Sequence, residues 1–176
     1  MAIQIALFRG INVGKAKRVA MADLRTLLEE LGFTRVRTLL NSGNAVFEAG
    51  RRAPAANATR IAAALAERTG VTANVLVITV QELDAAIAGN PFAARIDDPS
   101  RMLLGFFGAK ADRTALRALA DTGEDCSLGA HAFYLWCRHG ILEDKVANAL
   151  VGARFRDAIT TRNWATACKL QALAKA

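Results

Sequence analysis

Apolar positions along this chain recur with two periods, and the switches between them mark out its elements. Residues 3–8 (Ile-Gln-Ile-Ala-Leu-Phe) are an apolar run of strand length. Leu24, Leu27, Leu28 and Leu31 then recur at i, i+3, i+4 and i+7, with Asp23 in the first turn and Gly32 just past the end, which predicts an amphipathic helix with a glycine stop. Residues 33–40 read as a strand, Asn41-Ser-Gly-Asn44 as a turn, and Ala45-Val-Phe47 as the strand it leads into. Pro54 opens a second helix with Ile61, Ala64 and Leu65 on its inner face, Gly70 closes it, and residues 71–78 form a near-continuous apolar strand. The order strand, helix, strand, strand, helix, strand is the split βαβ unit of a ferredoxin-like fold.

Thr79 and Glu82 have capping-box spacing and predict a short helix ending before Gly89-Asn-Pro91. Beyond it the element order recurs. Residues 102–107 read as a strand, 112–120 as a helix with Leu116 and Leu119 inward, 126–128 and 132–137 as a hairpin around Gly129, 143–151 as a helix, 158–159 as a short strand, and 164–173 as a closing helix. No residue-level repeat links the halves. The fold expected is α+β: two ferredoxin-like (split βαβ) halves packed together, residues 1–78 and 101–176, with a short helix and linker over 79–100.

That topology makes a spatial prediction. In a split βαβ unit the first two strands are parallel and the third lies between them, antiparallel to both. The carboxyl end of the first strand, that of the second, and the start of the third therefore share one sheet edge. The loop at residues 9–14 and the turn at 41–44 become neighbours, collecting Arg9, Asn12, Lys15, Asn41, Ser42 and Asn44.

Composition narrows the class. A 176-residue chain buries about 70% of the surface it exposes when unfolded, enough for independent stability. No apolar run reaches the ~18 residues of a transmembrane helix, and Arg9 interrupts the N-terminal run too early for a signal peptide. Cys126, Cys137 and Cys168 are odd in number and form no C-x-x-C pair, so they read as reduced thiols of a cytoplasmic protein. The net charge of +7 sits at the ends: residues 1–37 hold seven Lys/Arg against three acids, and residues 138–176 the same. An anionic small molecule or a nucleic acid is the partner class this suggests, the nucleic-acid case being the weaker because few aromatics accompany the scattered cations.

The loop Arg9-Gly-Ile-Asn-Val-Gly14, followed by Lys15, Lys17 and Arg18, invites comparison with a phosphate-binding P-loop. The spacing from Gly10 to Gly14 is one residue short, Ala16 stands where a magnesium-binding Ser or Thr belongs, and no helix starts at the lysine. The loop can still offer backbone N–H groups to an anion, or its glycines can serve only to turn the chain, with Asn12 bonding the backbone. Near the C-terminus, Thr161 or Asn163 suits a helix N-cap, Trp164 suits the core, and Arg162 has a planar fork for carboxylate or phosphate. A catalytic group is hard to place. His131 and His139 lack an informatively spaced acid, and Cys137 and His139 would share a face only if their strand continued. Metal-ligand spacing is absent, and no motif calls for a cofactor.

These segments, with Asn90-Pro-Phe92, Tyr134-Leu-Trp136 and Thr161-Arg-Asn-Trp164, run in order along nearly the whole chain and resemble an uncharacterised bacterial family, domain of unknown function 1697. The resemblance implies identity without a reaction, since that family has no established biochemistry. It also marks departures. Ala165 stands where the family's Arg-Asn-Trp-Asn-Thr pattern has a second Asn, and Asp144-Lys145-Val146 replaces its Ser-Lys-Leu, so no serine-based role is open there. The favoured expectation is a binding module for an anionic, phosphate-bearing ligand at Arg9, Asn12, Lys15, Asn41, Ser42, Asn44, Arg162 and Asn163. The alternatives are an enzyme using Arg9, Asn12 and Arg162 to stabilise substrate charge, and an interaction protein acting through a sheet edge. Oligomeric state is not legible.

Overall fold

In the computed structural model, which describes all of residues 1–176, the chain divides into Met1–Val80 with Leu170–Ala176, and Gln81–Lys169. The first unit carries β1 (Ala2–Arg9), α1 (Met21–Glu30), β2 (Thr34–Thr38), β3 (Asn44–Ala49), α2 (Pro54–Thr69) and β4 (Asn74–Thr79). Its sheet has the order β2-β3-β1-β4 with every neighbouring pair antiparallel. β4 runs directly into α3 (Val80–Ala88). The second unit repeats the pattern with β5 (Met102–Phe107), α4 (Arg113–Ala120), β6 (Cys126–Leu128), β7 (Ala132–Trp136), α5 (Lys145–Val151) and β8 (Ile159–Asn163), in the order β6-β7-β5-β8, before α6 (Trp164–Lys175). Both halves are therefore ferredoxin-like. No helix is long and apolar enough to cross a membrane.

Local chemistry explains the element ends. α1 stops in a Schellman motif: Gly32 sits at φ 86, its N–H reaches Glu29 O, and Phe33 N–H reaches Leu28 O. Leu28 and Phe33 both enter the core, which Leu24, Leu27, Ile61 and Leu65 of α1 and α2 form against Ala6, Phe8, Ala45 and Phe47 of the sheet. In the second unit Leu116 and Leu150 of α4 and α5 pack on Leu103, Phe133 and Ile159 in the same manner. Each large aliphatic side chain so buried contributes about 1.5–3 kcal/mol.

Several boundaries differ from the expected ones, and four of the differences have a local cause. β2 is shorter than residues 33–40 because Leu40 adopts φ 60 and belongs to the turn, while Arg35, at φ 50, sits in a register break between Thr34 and Arg37. β4 starts at Asn74, not at residue 71, since Val71 N–H is taken by Thr69 Oγ1 at 3.1 Å instead of a neighbouring strand. α5 starts at Lys145: Asp144 is its N-cap, accepting from Val146 N and Ala147 N at 2.8 and 2.9 Å. The strand expected near 158–159 continues through Asn163, pairing Leu103 with Asn163 and Leu104 with Arg162.

Candidate functional site

The first strand ends where its apolar alternation meets Arg9. That residue pairs with Asn74 of β4 and is half-buried, so it is the last residue of a strand and not the solvated loop residue expected. The chain then leaves the sheet through Gly10 and enters a loop closed almost entirely by Asn12. Asn12 Nδ2 donates to Val19 O and to Asn41 O, both at 2.8 Å, and Asn12 Oδ1 accepts from Val19 N at 2.8 Å. Its backbone N–H donates to Lys17 O at 2.8 Å. Asparagine is suited to this position twice over, because it tolerates the left-handed φ of 52 and supplies donor and acceptor from one amide.

The same bond to Asn41 joins the loop to the turn between β2 and β3, so the two segments do meet at one edge of the first sheet, as the split βαβ order requires. The turn is tightly built. Phe8 N donates to Gly43 O at 2.9 Å, and Asn44, fully buried, donates through Nδ2 to Leu39 O at 2.7 Å and Ser42 Oγ at 3.3 Å. Gly43 has φ 93, and a Cβ there would stand 2.8 Å from Phe8 Cβ and 2.6 Å from Ile11 Cδ1. Leu40, in the left-handed region and exposed, is an outlier of a kind found where a turn is over-determined by its surroundings.

Between the buried anchors Ile11 and Val19, residues 13–18 are all exposed. They present Lys15, Lys17 and Arg18, none in an ion pair, beside exposed Asn41 and Ser42. The P-loop comparison fails structurally as well, since the next helix begins only at Met21. Lys17 and Arg18 were not in the candidate set; three cations within four residues was the signal for them.

Arg162 and Asn163 belong to the second unit. Arg162 shares a sheet face with Leu104 and Tyr134, its Nη1 donates to Thr161 O at 2.8 Å, and burial lowers its pKa to about 10, so it stays charged at neutral pH. Asn163 Oδ1 accepts from Thr166 N at 2.9 Å and so starts α6. β7 ends at Trp136, and Cys137 lies in the core with its thiol pushed up to about 12, first by burial and then by Asp144 and Asp125, while His139 is exposed. Those two do not act as a pair. No group of three His, Cys, Asp or Glu side chains is arranged to hold a metal ion.

Comparison with known proteins gives a family and a fold. The sequence model of a family described as "Protein of unknown function (DUF1697)" matches residues 1–134. No curated protein matches the chain. Among solved structures, the conserved bacterial protein SP0830 from Streptococcus pneumoniae superposes with a TM-score of 0.79 at 23% identity, covering 98% of each chain, a likeness of fold.

Proposed function

We propose, for a chain that belongs to the DUF1697 family of proteins of unknown function, the role of a binding module for an anionic, phosphate-bearing partner that docks on the loop between β1 and α1. The observation that carries this reading is the set of three unpaired cations, Lys15, Lys17 and Arg18, on a loop whose base is fixed by Ile11, Val19 and the Asn12 amide. A loop held in place before binding loses less entropy on binding, so its charges are more effective than the same charges on a disordered tail. Backbone N–H groups between Gly10 and Gly14 and the side chains of Asn41 and Ser42 supply hydrogen bonds beside the charge. Small phosphorylated molecules and single-stranded nucleic acid both present the required chemistry.

Two candidate residues play a supporting part in this reading. Asn12 and Asn44 spend their amides on the loop and the turn, and so position the site instead of contacting the partner. The catalytic alternative has no observation in its favour: the Cys137 thiol is buried, and neither histidine is paired with an acid. The test is to titrate inorganic polyphosphate into isotope-labelled protein and follow backbone amide resonances. Shifts concentrated in residues 13–18 and 41–42 are expected. Shifts confined elsewhere, or none at low salt, would remove the loop as the docking site.

A further inference from the structure

At the opposite edge of the first sheet, where β3 ends and α2 begins, a cavity of about 260 Å³ is lined by Leu31, Gly32, Phe33, Gly50 and four polar residues, Arg51, Arg52, Asn57 and Arg60. Its lining includes three arginines and no Asp or Glu. Arg51 and Arg52 are exposed, and neither guanidinium has a hydrogen-bond or ion-pair partner. Arg60 is held in place: Nη2 donates to Leu31 O at 3.0 Å and the guanidinium lies 5.6 Å from the centre of the Phe33 ring. Asn57 and Arg60 stand in the first two turns of the 16-residue helix α2, whose N-cap Ala53 brings no side-chain oxygen to the first-turn N–H groups. Three cations near the positive end of a helix dipole favour an anion between them.

A second observation points to the rest of the ligand. Asn57 is fully buried, yet its Oδ1 accepts no hydrogen bond. The orientation of the amide is fixed by its neighbours. Gln4 Nε2 donates to Arg52 O at 3.1 Å, which turns Gln4 Oε1 toward Asn57, and Asn57 Nδ2 donates to that oxygen at 2.9 Å. Oδ1 is therefore the atom left over, on a buried residue that lines the cavity. A buried acceptor without a donor is costly, and calls for an O–H or N–H.

We infer that this cavity is a binding site for a small phosphate monoester that also carries a hydroxyl group, with Arg51, Arg52 and Arg60 on the phosphate and Asn57 Oδ1 accepting from the hydroxyl. Pockets for drug-sized ligands run from about 300 to 1,000 Å³, so this one suits a phosphorylated polyol or sugar and is too small for a dinucleotide. The site is distinct from the loop between β1 and α1, and does not depend on it.

Glycerol 3-phosphate, inorganic phosphate and glycerol serve as probes, with affinity read by calorimetry and position by resonances of isotope-labelled protein. Glycerol 3-phosphate is expected to bind, more tightly than inorganic phosphate, while glycerol does not, and the Asn57 side-chain amide signal moves on binding. Arg51→Gln and Arg52→Gln, at exposed positions that leave the fold intact, each raise the Kd about tenfold. Unchanged affinity in both variants, or an unmoved Asn57 signal, would overturn the site. Equal affinity for glycerol 3-phosphate and inorganic phosphate would overturn the hydroxyl contact. The protein with Lys15, Lys17 and Arg18 all changed to Ala binds glycerol 3-phosphate as the unmodified protein does. Loss of binding there would place the anion on the loop and overturn this second site alone.

Discussion

Replacing Asn12 with Ala removes the amide that closes the cationic loop, and its cost can be worked out from the contacts. Three side-chain hydrogen bonds are lost, to Val19 O, Val19 N and Asn41 O. At a net value of about 1 kcal/mol each they would sum to about 3, but the bond to Asn41 is solvent-exposed, which lowers the loss to about 2 kcal/mol. Alanine in the left-handed conformation adds about 1 kcal/mol that Asn does not incur. Asn12→Gly removes the bonds without that strain, so the Ala and Gly variants should differ by roughly the backbone share. Much of the effect is local, since residues 13–18 then keep only the bond from Asn12 N–H to Lys17 O. Trypsin cutting at Lys15, Lys17 or Arg18 reports that local opening. The loss of about 2 kcal/mol in Asn12→Gly predicts cleavage about thirtyfold faster in native buffer, and that of about 3 kcal/mol in Asn12→Ala about 150-fold, while the global urea midpoint falls by less. Cleavage at the unmodified rate in both variants would refute the idea that Asn12 holds the loop.

Gly43→Ala combines a forbidden φ with a Cβ pressed against Phe8 Cβ, which is fixed by the strand and cannot move aside as Ile11 Cδ1 can; a loss of about 2–4 kcal/mol in urea unfolding is expected, and a loss under 1 would show that the turn adapts. Asp125 accepts from Arg138 Nε and Nη2 and from Arg95 Nη2, and the Arg138 bond first of all holds its pKa down at about 2. A folded-state pKa below the unfolded one stabilises the protein above about pH 4, and that contribution disappears as pH falls toward about 2. The difference in urea midpoint between the unmodified protein and Asp125→Asn should therefore be present at pH 7 and close across that window; a difference independent of pH would contradict the assignment. Native-state alkylation with iodoacetamide at pH 8 should label Cys137 last of the three thiols and only as fast as the protein opens, because burial pushes its pKa up to about 12; early labelling would place it at the surface.

The architecture was legible because each switch of period had a chemical stop beside it: Gly32 and Gly70 after helices, Pro54 before one. From the element order alone came the meeting of the 9–14 and 41–44 segments, since strand order fixes which ends share an edge. What was missed depended on chemistry that a linear pattern does not carry. β8 reads Ile-Thr-Thr-Arg-Asn, a mostly polar strand whose β-branched threonines were its only signal. Asp144 was counted inside its helix when its carboxylate caps it. Asn44 looked like a surface turn residue and is fully buried, because its amide replaces turn hydrogen bonds that the chain cannot make for itself. Arg51 and Arg52 sit in no motif, and only the fold brings Arg60 and the unsatisfied Asn57 to them.

The salt dependence of binding to a short single-stranded RNA tests the role of the loop between β1 and α1 most directly. With the unmodified protein, log K should fall steeply against log salt from about 50 mM upward, because each neutralised phosphate releases counterions worth about 0.7 in slope. With Lys15, Lys17 and Arg18 all changed to Ala, the slope should be shallower by about 2 and the affinity at low salt correspondingly weaker. Identical slopes for the two proteins would show that those three cations touch no phosphate, and would contradict the account.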